Sequence, residues 1–236
     1  MYLLKRLSVL ALILSRIVFA EDLLISSQTI YLAGEHHYDN VIITNGGILR
    51  LVEYGGSNSD QGFLSLFCDS LHIDATSRIY GTSSGGMYGS GVGLNGSSGS
   101  GDGIYSGGGG GGFGGQGGMG GGDIPGSGGT SNGASNQLSR GSRGGRGVNE
   151  ANDYTGFGGG GIYINSRVAI VDGDISSAGG SASTNYYGGN GGGSGGMVWL
   201  EIEYLTLSGE ISVAGGNGSV RSSSAGPEHA GGGGGS

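Results

Sequence analysis

The feature that most constrains this chain is a pattern that occurs twice between Gly158 and Asn217. Each copy begins with a glycine run, continues as alternating apolar and polar residues, passes a polar turn and returns through a short strand to Gly-Gly. Ile175 in the first copy aligns with Ile211 in the second, a period of 36 residues. Such a period is typical of stacked or solenoid architectures. The pattern predicts an all-β fold, as a parallel β-solenoid or stacked β-repeats.

An earlier segment carries a third copy of the pattern. The predicted alignment places Leu71-x-Ile73 with Val168-x-Ile170 and Leu205-x-Leu207, and Ile79 with Ile175 and Ile211. Three copies are about the minimum for a stack that buries its own faces, so we expect these segments to form the folded core. Asn45-Gly46 further upstream is typical of a tight turn because both residues tolerate positive φ. It predicts either a hairpin or the corner of a solenoid coil.

Changes in composition and the positions of the glycine runs divide the chain into five predicted segments. They are a signal peptide (1–20), a β-rich segment with the first repeat (21–86), a glycine-rich insertion (87–156), two β-repeats (157–219) and a glycine-rich tail (220–236). The tail resembles the glycine runs that precede the strands of both repeats. We therefore expect the sequence to be part of a longer repeat protein.

The first 20 residues have the organisation of a secretion signal. Lys5 and Arg6 precede the apolar run Leu7 to Leu14, and the segment ends on small residues at Ala20. The apolar run is shorter than the roughly 18 residues that a membrane span needs. We predict a secreted or cell-surface protein with no membrane span in its mature chain.

The insertion is dominated by glycine, which accounts for 62 of the 236 residues. Glycine brings no side chain to bury and loses much conformational freedom on folding. At the centre of the insertion, Phe113, Gln116 and Met119 follow a Gly-Gly-X register. A period of three fits polyproline II geometry, in which these residues would share one ridge. A disordered linker is the alternative, since Gly/Ser tracts are commonly flexible.

The charge of the mature chain limits its partners. Lys5 is the only lysine, so removal of the signal leaves seven arginines against eighteen acidic residues, a net charge of −11 (7 − 18). Such a surface repels nucleic acid and anionic membranes, and we expect no nucleic-acid partner. Chemistry that depends on a phosphate-loop or Schiff-base lysine is excluded. No cofactor is predicted.

Arg140, Arg143 and Arg146 are spaced by three within a Gly/Ser segment. The spacing resembles the arginine-glycine segments of RNA-binding proteins, but the predicted export and the negative charge argue against RNA. Contact with an acidic polysaccharide and a simple solvated loop are the two remaining expectations. Asn95 and Asn217 begin glycosylation sequons, which apply only in a eukaryotic source.

Metal binding is not predicted. Histidines 36 and 37, with Glu35 and Asp39, form the densest set of potential ligands. Adjacent residues on an extended strand point to opposite faces, so the two histidines would not share an ion. Asp172-Gly-Asp174 is typical of a tight turn between strands.

Trp199, the only tryptophan, alternates with Met197 and Glu201 along a predicted strand. Val198, Leu200 and Ile202 share the other face, which we expect to be inward. Trp199 and the neighbouring Tyr204 would then be exposed and able to stack on a sugar, although packing between strands is the more common role of such residues.

The glycine run, the apolar-x-apolar strand and the following Ile-x-x-x-Gly-Gly resemble the large glycine-rich extracellular proteins of plants, protists and some bacteria. The resemblance covers roughly residues 63–216, and it implies a parallel β-solenoid with polyglycine loops. Glycine-rich sheaths of polyproline II type also occur in phage tail adhesins and some antifreeze proteins, but the signal peptide and the absence of Thr-x-Thr arrays argue against these. The resemblance supplies no catalytic residues.

Three functions follow as hypotheses. The first is a non-enzymatic structural or adhesive protein, with extracellular polysaccharide or other surface proteins as partners. The second is a small module that binds carbohydrate or ice, which would need a flat exposed row of aromatic residues or threonines. The third is a polysaccharide-active β-helix enzyme, which would need carboxylates or arginines converging on one groove.

Overall fold

The computed structural model describes residues 21–56, 60–85, 106–131, 137–147, 155–183 and 189–220. The predicted signal peptide, most of the predicted tail and Asn95 lie outside the described residues. Within them the protein is all-β, with ten strands and no helix. The strands are β1 (Leu23–Ser26), β2 (Thr29–Leu32), β3 (Gly34–Thr44), β4 (Ile48–Leu51), β5 (Phe63–Ile73), β6 (Arg78–Tyr80), β7 (Gly161–Val171), β8 (Asp174–Ser176), β9 (Met197–Leu207) and β10 (Glu210–Ser212).

The strands form two sheets of five, and every neighbouring pair is parallel. The first sheet has the order β1-β3-β5-β7-β9 and the second has the order β10-β8-β6-β4-β2. The chain therefore passes alternately from one sheet to the other, and neighbours within a sheet are next-but-one in the sequence. The predicted all-β class is confirmed for this part of the chain. The sheets are open, with β1 and β9 at the edges of the first and β2 and β10 at the edges of the second.

Aliphatic side chains from both sheets form one core. The fully buried large residues are Ile25, Ile43, Leu49, Leu51, Leu64, Leu66, Leu71, Ile73, Ile79, Ile162, Ile164 and Ile175. Each such burial contributes roughly 1.5–3 kcal/mol relative to an exposed side chain. The expected inward row of Val198, Leu200 and Ile202 is confirmed, because these residues pack against this core.

The pairing of the 11-residue strands skips one position in each strand: Asp39, Asp69, Arg167 and Glu203. In β5, Leu64 and Leu66 are buried before the skipped residue, and Leu71 and Ile73 are buried after it. Leu71 lies five positions after Leu66, an odd number, so the two-residue alternation changes phase at the skipped position. Each long strand therefore has two halves that both face the core, separated by a charged residue.

The tight turns lie where the sequence predicts them. Asn45 and Gly46 follow β3 with φ values of 53° and 74°. Because β3 and β4 belong to different sheets, this turn connects the sheets, and the hairpin interpretation is wrong. Asp172 and Gly173 likewise connect β7 to β8.

The structure corrects the predicted alignment by one residue. Leu71 pairs with Ala169, and Ala169 pairs with Leu205, whereas Val168 was expected at this place. Ala169 is buried and Ile170 is 40% exposed. The larger size of Val168 and Ile170 suggested that these residues face the core. A shift of one residue reverses the orientation of every side chain in a strand. The predicted alignment of Ile175 with Ile211 is confirmed.

Glycine-rich segments pack through their backbones beside the sheets. Gly108 N donates to Gly189 O (3.0 Å) and Gly111 N donates to Gly192 O (2.9 Å), so bonded residues recur at every third position. The same spacing recurs in the donor pairs 107 and 110, 117 and 120, 126 and 129, 141 and 144, 156 and 159, 191 and 194, and 193 and 196. A Cβ at most of these glycines would overlap a carbonyl oxygen of the adjacent segment. This packing accounts for the glycine runs.

The expected ridge of Phe113, Gln116 and Met119 is not formed. Phe113 is 6% exposed, whereas Met119 is 68% exposed. The chain reverses between them, where Phe113 N donates to Gly115 O (3.0 Å), and residues 107–110 then pair with residues 118–121 in the opposite direction. The Gly-Gly-X register therefore spans a turn, and its members lie in different environments.

Candidate functional site: an aromatic ladder on the first sheet

The outer face of the first sheet carries a ladder of four rings, which we call the aromatic ladder: His37, Phe67, Tyr163 and Trp199. His37 stacks on Phe67 with ring centroids 4.7 Å apart and an interplanar angle of 8°. Phe67 meets Tyr163 edge to face at 5.5 Å, and Tyr163 meets Trp199 edge to face at 5.6 Å. The ladder crosses the four neighbouring strands β3, β5, β7 and β9.

Register determines two of the three ring contacts of the ladder, whereas Phe67 is in register with Asn165, two residues further along β7 than Tyr163. His37 pairs with Phe67, and Tyr163 pairs with Trp199, so each pair projects from the same side of the sheet. Aromatic residues that are neighbours across strands stabilise a sheet by roughly 0.2–1 kcal/mol per pair. Packing therefore explains part of the arrangement, but His37 remains exposed and the other three rings remain half-buried.

Polar groups at one end of the ladder form a small network. Tyr163 Oη donates to Glu201 Oε2 (2.7 Å), and Asn165 Nδ2 lies 3.2 Å from the same oxygen and 3.3 Å from Tyr163 Oη. The hydrogen bond to Glu201 raises the pKa of Tyr163, because it favours the neutral hydroxyl. These groups offer donors and acceptors next to aromatic faces, the combination that a sugar requires.

The network borders a shallow concavity of about 170 Å³. Its walls are Ser65, Leu138, Tyr163, Trp199 and Glu201. Leu138 belongs to the glycine-rich insertion, so the insertion contributes one side of the site. The size suits part of a sugar ring lying against the indole.

The structure separates the two predicted ligand contacts on β9. Trp199 is part of the aromatic ladder, whereas Tyr204 lies beyond the skipped position of the strand and is 62% exposed outside the ladder. His37, Phe67 and Tyr163 were missed by sequence reasoning. Tyr163 could have been found, because it precedes Trp199 by the 36-residue period, whereas the insertion hides the register of Phe67 with the later strands.

Arg140 occupies a position that does not suit direct contact with a ligand. Its guanidinium carbon lies 3.7 Å from the centre of the Tyr54 ring and 4.3 Å from that of Phe63. Arg140 Nη1 donates to Gln61 O (2.7 Å), and the residue is only 7% exposed. This burial lowers the pKa of Arg140. The residue connects the insertion to the sheets.

The other predicted contacts are spread over the surface. Arg143 is half-buried, with Nε donating to Thr155 Oγ1 (2.6 Å), and Arg146 is exposed. The three arginines therefore do not form one exposed row. Asn217 is exposed and its backbone N–H donates to Ser181 Oγ (3.1 Å); its glycosylation stays a prediction.

The two adjacent histidines point in different directions, as the strand geometry predicts. Nε2 of His36 lies 3.0 Å from Ala33 O, whereas Nε2 of His37 lies 2.7 Å from Glu35 Oε1. Among the described residues, no group of three or more His, Cys, Asp or Glu side chains is placed to hold a metal ion.

Comparisons with known proteins give no family. The chain matches no protein-family model, no curated protein and no solved structure. No helix long and apolar enough to cross a membrane occurs among the described residues.

Proposed function

We propose that the protein is a non-enzymatic adhesive or structural protein, secreted or held at the cell surface, that binds polysaccharide through the aromatic ladder. The observation that carries the proposal is the row of four contacting rings across four strands, with a two-residue step between Phe67 and Tyr163, bordered by the Tyr163–Glu201 network. A stepped row of rings offers successive apolar surfaces to an extended sugar polymer, and the polar groups beside Trp199 can bind its hydroxyls.

The proposal includes a solenoid architecture. Alternation of the chain between two parallel sheets supports coils of one long and one short strand, related by the sequence repeat. Hydrogen bonds at every third residue support polyproline II-like geometry in the glycine segments. These segments would act as a rigid flank that holds Leu138 beside Trp199. The likeness to glycine-rich extracellular proteins is consistent with this proposal.

Binding to a panel of neutral soluble glucans, mannans and galactans tests the function. Trp199→Ala should weaken binding at least fivefold, the change that about 1 kcal/mol produces, and Trp199→Phe should restore part of it. Tyr204→Ala is the matched control, since it removes an exposed ring from the same strand outside the ladder. Equal losses for the two alanine variants, or no binding by the wild type, would refute the ladder as the site.

The same samples test the non-enzymatic part of the proposal. Chain lengths and reducing ends of each polysaccharide should stay constant after long incubation with the protein. Shortening of a polysaccharide by the wild type would instead support the enzyme hypothesis, with Glu201 as the first carboxylate to replace by glutamine.

A further inference from the structure

The outer face of the second sheet carries a different cluster, which we call the basic cluster: Tyr31, Arg50, Arg78 and Tyr80. Register places Tyr31, Arg50 and Tyr80 in one row across β2, β4 and β6. Arg78 begins β6 in the neighbouring row. Two arginines on adjacent strands therefore share one face with two tyrosines.

Arg50 is held in place by its neighbours. Its guanidinium carbon lies 5.3 Å from the centre of the Tyr80 ring and 6.0 Å from that of Tyr31. Arg50 Nη2 forms an ion pair with Glu53 Oε1 at 3.0 Å. These contacts orient the side chain, and Arg50 Nε has no hydrogen-bond partner in the part of the chain that the structure describes.

Arg78 is exposed and lies next to Ile48 on one side and Asp174 on the other. It forms no ion pair within 4.0 Å in the part of the chain that the structure describes, although Asp174 is its in-register neighbour. Arg50 and Arg78 are diagonal neighbours on β4 and β6, a spacing that long side chains can bridge. Both guanidinium groups could therefore donate to one anion bound between them.

The basic cluster lines a concavity of about 200 Å³, completed by Thr29 and Ile48. We propose that this concavity binds the carboxylate of an acidic sugar, such as a uronate unit of a polysaccharide. Guanidinium groups donate paired hydrogen bonds that match the geometry of a carboxylate. The tyrosine rings supply an apolar surface for the sugar, and Thr29 supplies a hydroxyl beside it.

Acidic residues on the rest of this face restrict anion binding to the end that carries the basic cluster. Asp174 and Glu210 continue the row of Arg78 across β8 and β10 and line the adjoining concavity. These carboxylates repel an anion. The basic cluster therefore holds one sugar carboxylate, and the rest of a uronate chain is expected to leave the site on the side away from Asp174 and Glu210.

This inference is independent of the aromatic ladder, which lies on the other sheet. The test compares binding of the full chain to polygalacturonate and to its methyl ester, which has the same backbone without the charge. The variant is Arg78→Gln, because Arg78 is exposed and its replacement leaves the core intact. The control is Arg167→Gln, which removes the same charge from an exposed position on the first sheet.

We expect Arg78→Gln to weaken binding to polygalacturonate about tenfold or more, and Arg167→Gln to change it less than twofold. The methyl ester should bind as weakly as polygalacturonate binds to Arg78→Gln. The difference between the two polymers should shrink at high salt, since an exposed charge pair is screened.

Equal effects of the two arginine variants would overturn the inference, because they would assign the binding to net charge. Equal binding of the acid and its ester, or no binding of polygalacturonate, would overturn it too. Trp199→Ala separates this outcome from failure of the ladder: it should weaken binding to neutral polymers and leave the preference for the acid over the ester intact.

Discussion

Asp74 connects two successive turns between the sheets. Asp74 Oδ2 accepts a hydrogen bond from Asn45 N (2.6 Å), in the turn after β3, and Oδ1 accepts from Thr76 N (2.9 Å) and Thr76 Oγ1 (2.8 Å), in its own turn. The Ser77 hydroxyl, followed by the Asn45 N–H, holds the pKa of Asp74 well below its usual range. One carboxylate thus fixes the spacing of neighbouring turns.

The lowered pKa predicts a pH dependence of stability. A carboxyl group whose pKa is depressed by folding stabilises the protein above its unfolded pKa, about 3.9, and the stabilisation is lost as the pH falls through the lower, folded value. The melting temperature of the wild type should therefore decrease when the pH drops below about 4. Asp74→Asn should lower it at pH 7 and reduce that dependence.

Asp123→Asn is the control, because Asp123 is exposed on the glycine-rich insertion. It should leave the melting temperature at pH 7 close to that of the wild type. An Asp74→Asn protein with the wild-type stability and acid dependence would contradict this account of the turn.

The packing of the glycine-rich segments is possible because glycine has no side chain. Gly144 N donates to Gly156 O (3.0 Å), and a Cβ on Gly144 would overlap the carbonyl oxygen of Gly191. Backbone atoms cannot move aside as the end of a long side chain can. Each segment therefore holds its neighbours at a distance that only glycine permits.

Gly144→Ala should destabilise the protein by roughly 1–3 kcal/mol, the usual cost of forcing extra volume into a packed interior. Gly55→Ala is the control, since a Cβ there would meet only Gln61 Oε1, at 3.5 Å. Urea denaturation of the two variants gives the comparison. If both variants were as stable as the wild type, close backbone packing of residues 139–147 would be refuted.

Sequence predicted the class of fold and most turns, because alternation, glycine runs and Asn-Gly or Asp-Gly pairs act locally. It did not predict that Ala169, rather than Val168, lies in register with Leu71. Val168 and Ile170 are the larger apolar residues and yet lie on the outer side. Nor did it predict the phase change at Asp69. That change depends on each long strand having two core-facing halves, which is a property of the packed sheets.

The candidate sites were only partly predictable for the same reason. The sequence predicts Trp199 as an exposed ring, whereas the structure shows it half-buried. The ladder also requires His37, Phe67 and Tyr163 to come together from strands that are far apart in the sequence. The spacing of three suggested a role for Arg140, which the structure explains by its position between Tyr54 and Phe63. For Trp199 and Arg140, the sequence alone does not distinguish a residue that contacts a ligand from one that packs within the structure.

At the scale of the whole molecule, the two sheets present different surfaces on one core. The first sheet carries the aromatic ladder and the second carries the basic cluster, and each surface arises because residues in register repeat across parallel strands. The two proposed binding surfaces are therefore separate, and each can be removed by substitution without changing the other.

The core is more exposed to solvent at β9 than at β5 and β7. This predicts that substitutions of core-facing residues cost less stability in β9 than in β5. Ile73, Val171 and Leu207 are consecutive partners in register; the first two are fully buried, whereas Leu207, on the edge strand β9, is 46% exposed. Ile73→Ala should cost about 2–5 kcal/mol of unfolding free energy, because it leaves a cavity in the core. Leu207→Ala should cost less than about half of that, since much of its surface already meets solvent. Urea unfolding measures both, and equal losses would mean that β9 is covered in solution by a partner that buries Leu207 as β7 buries Ile73.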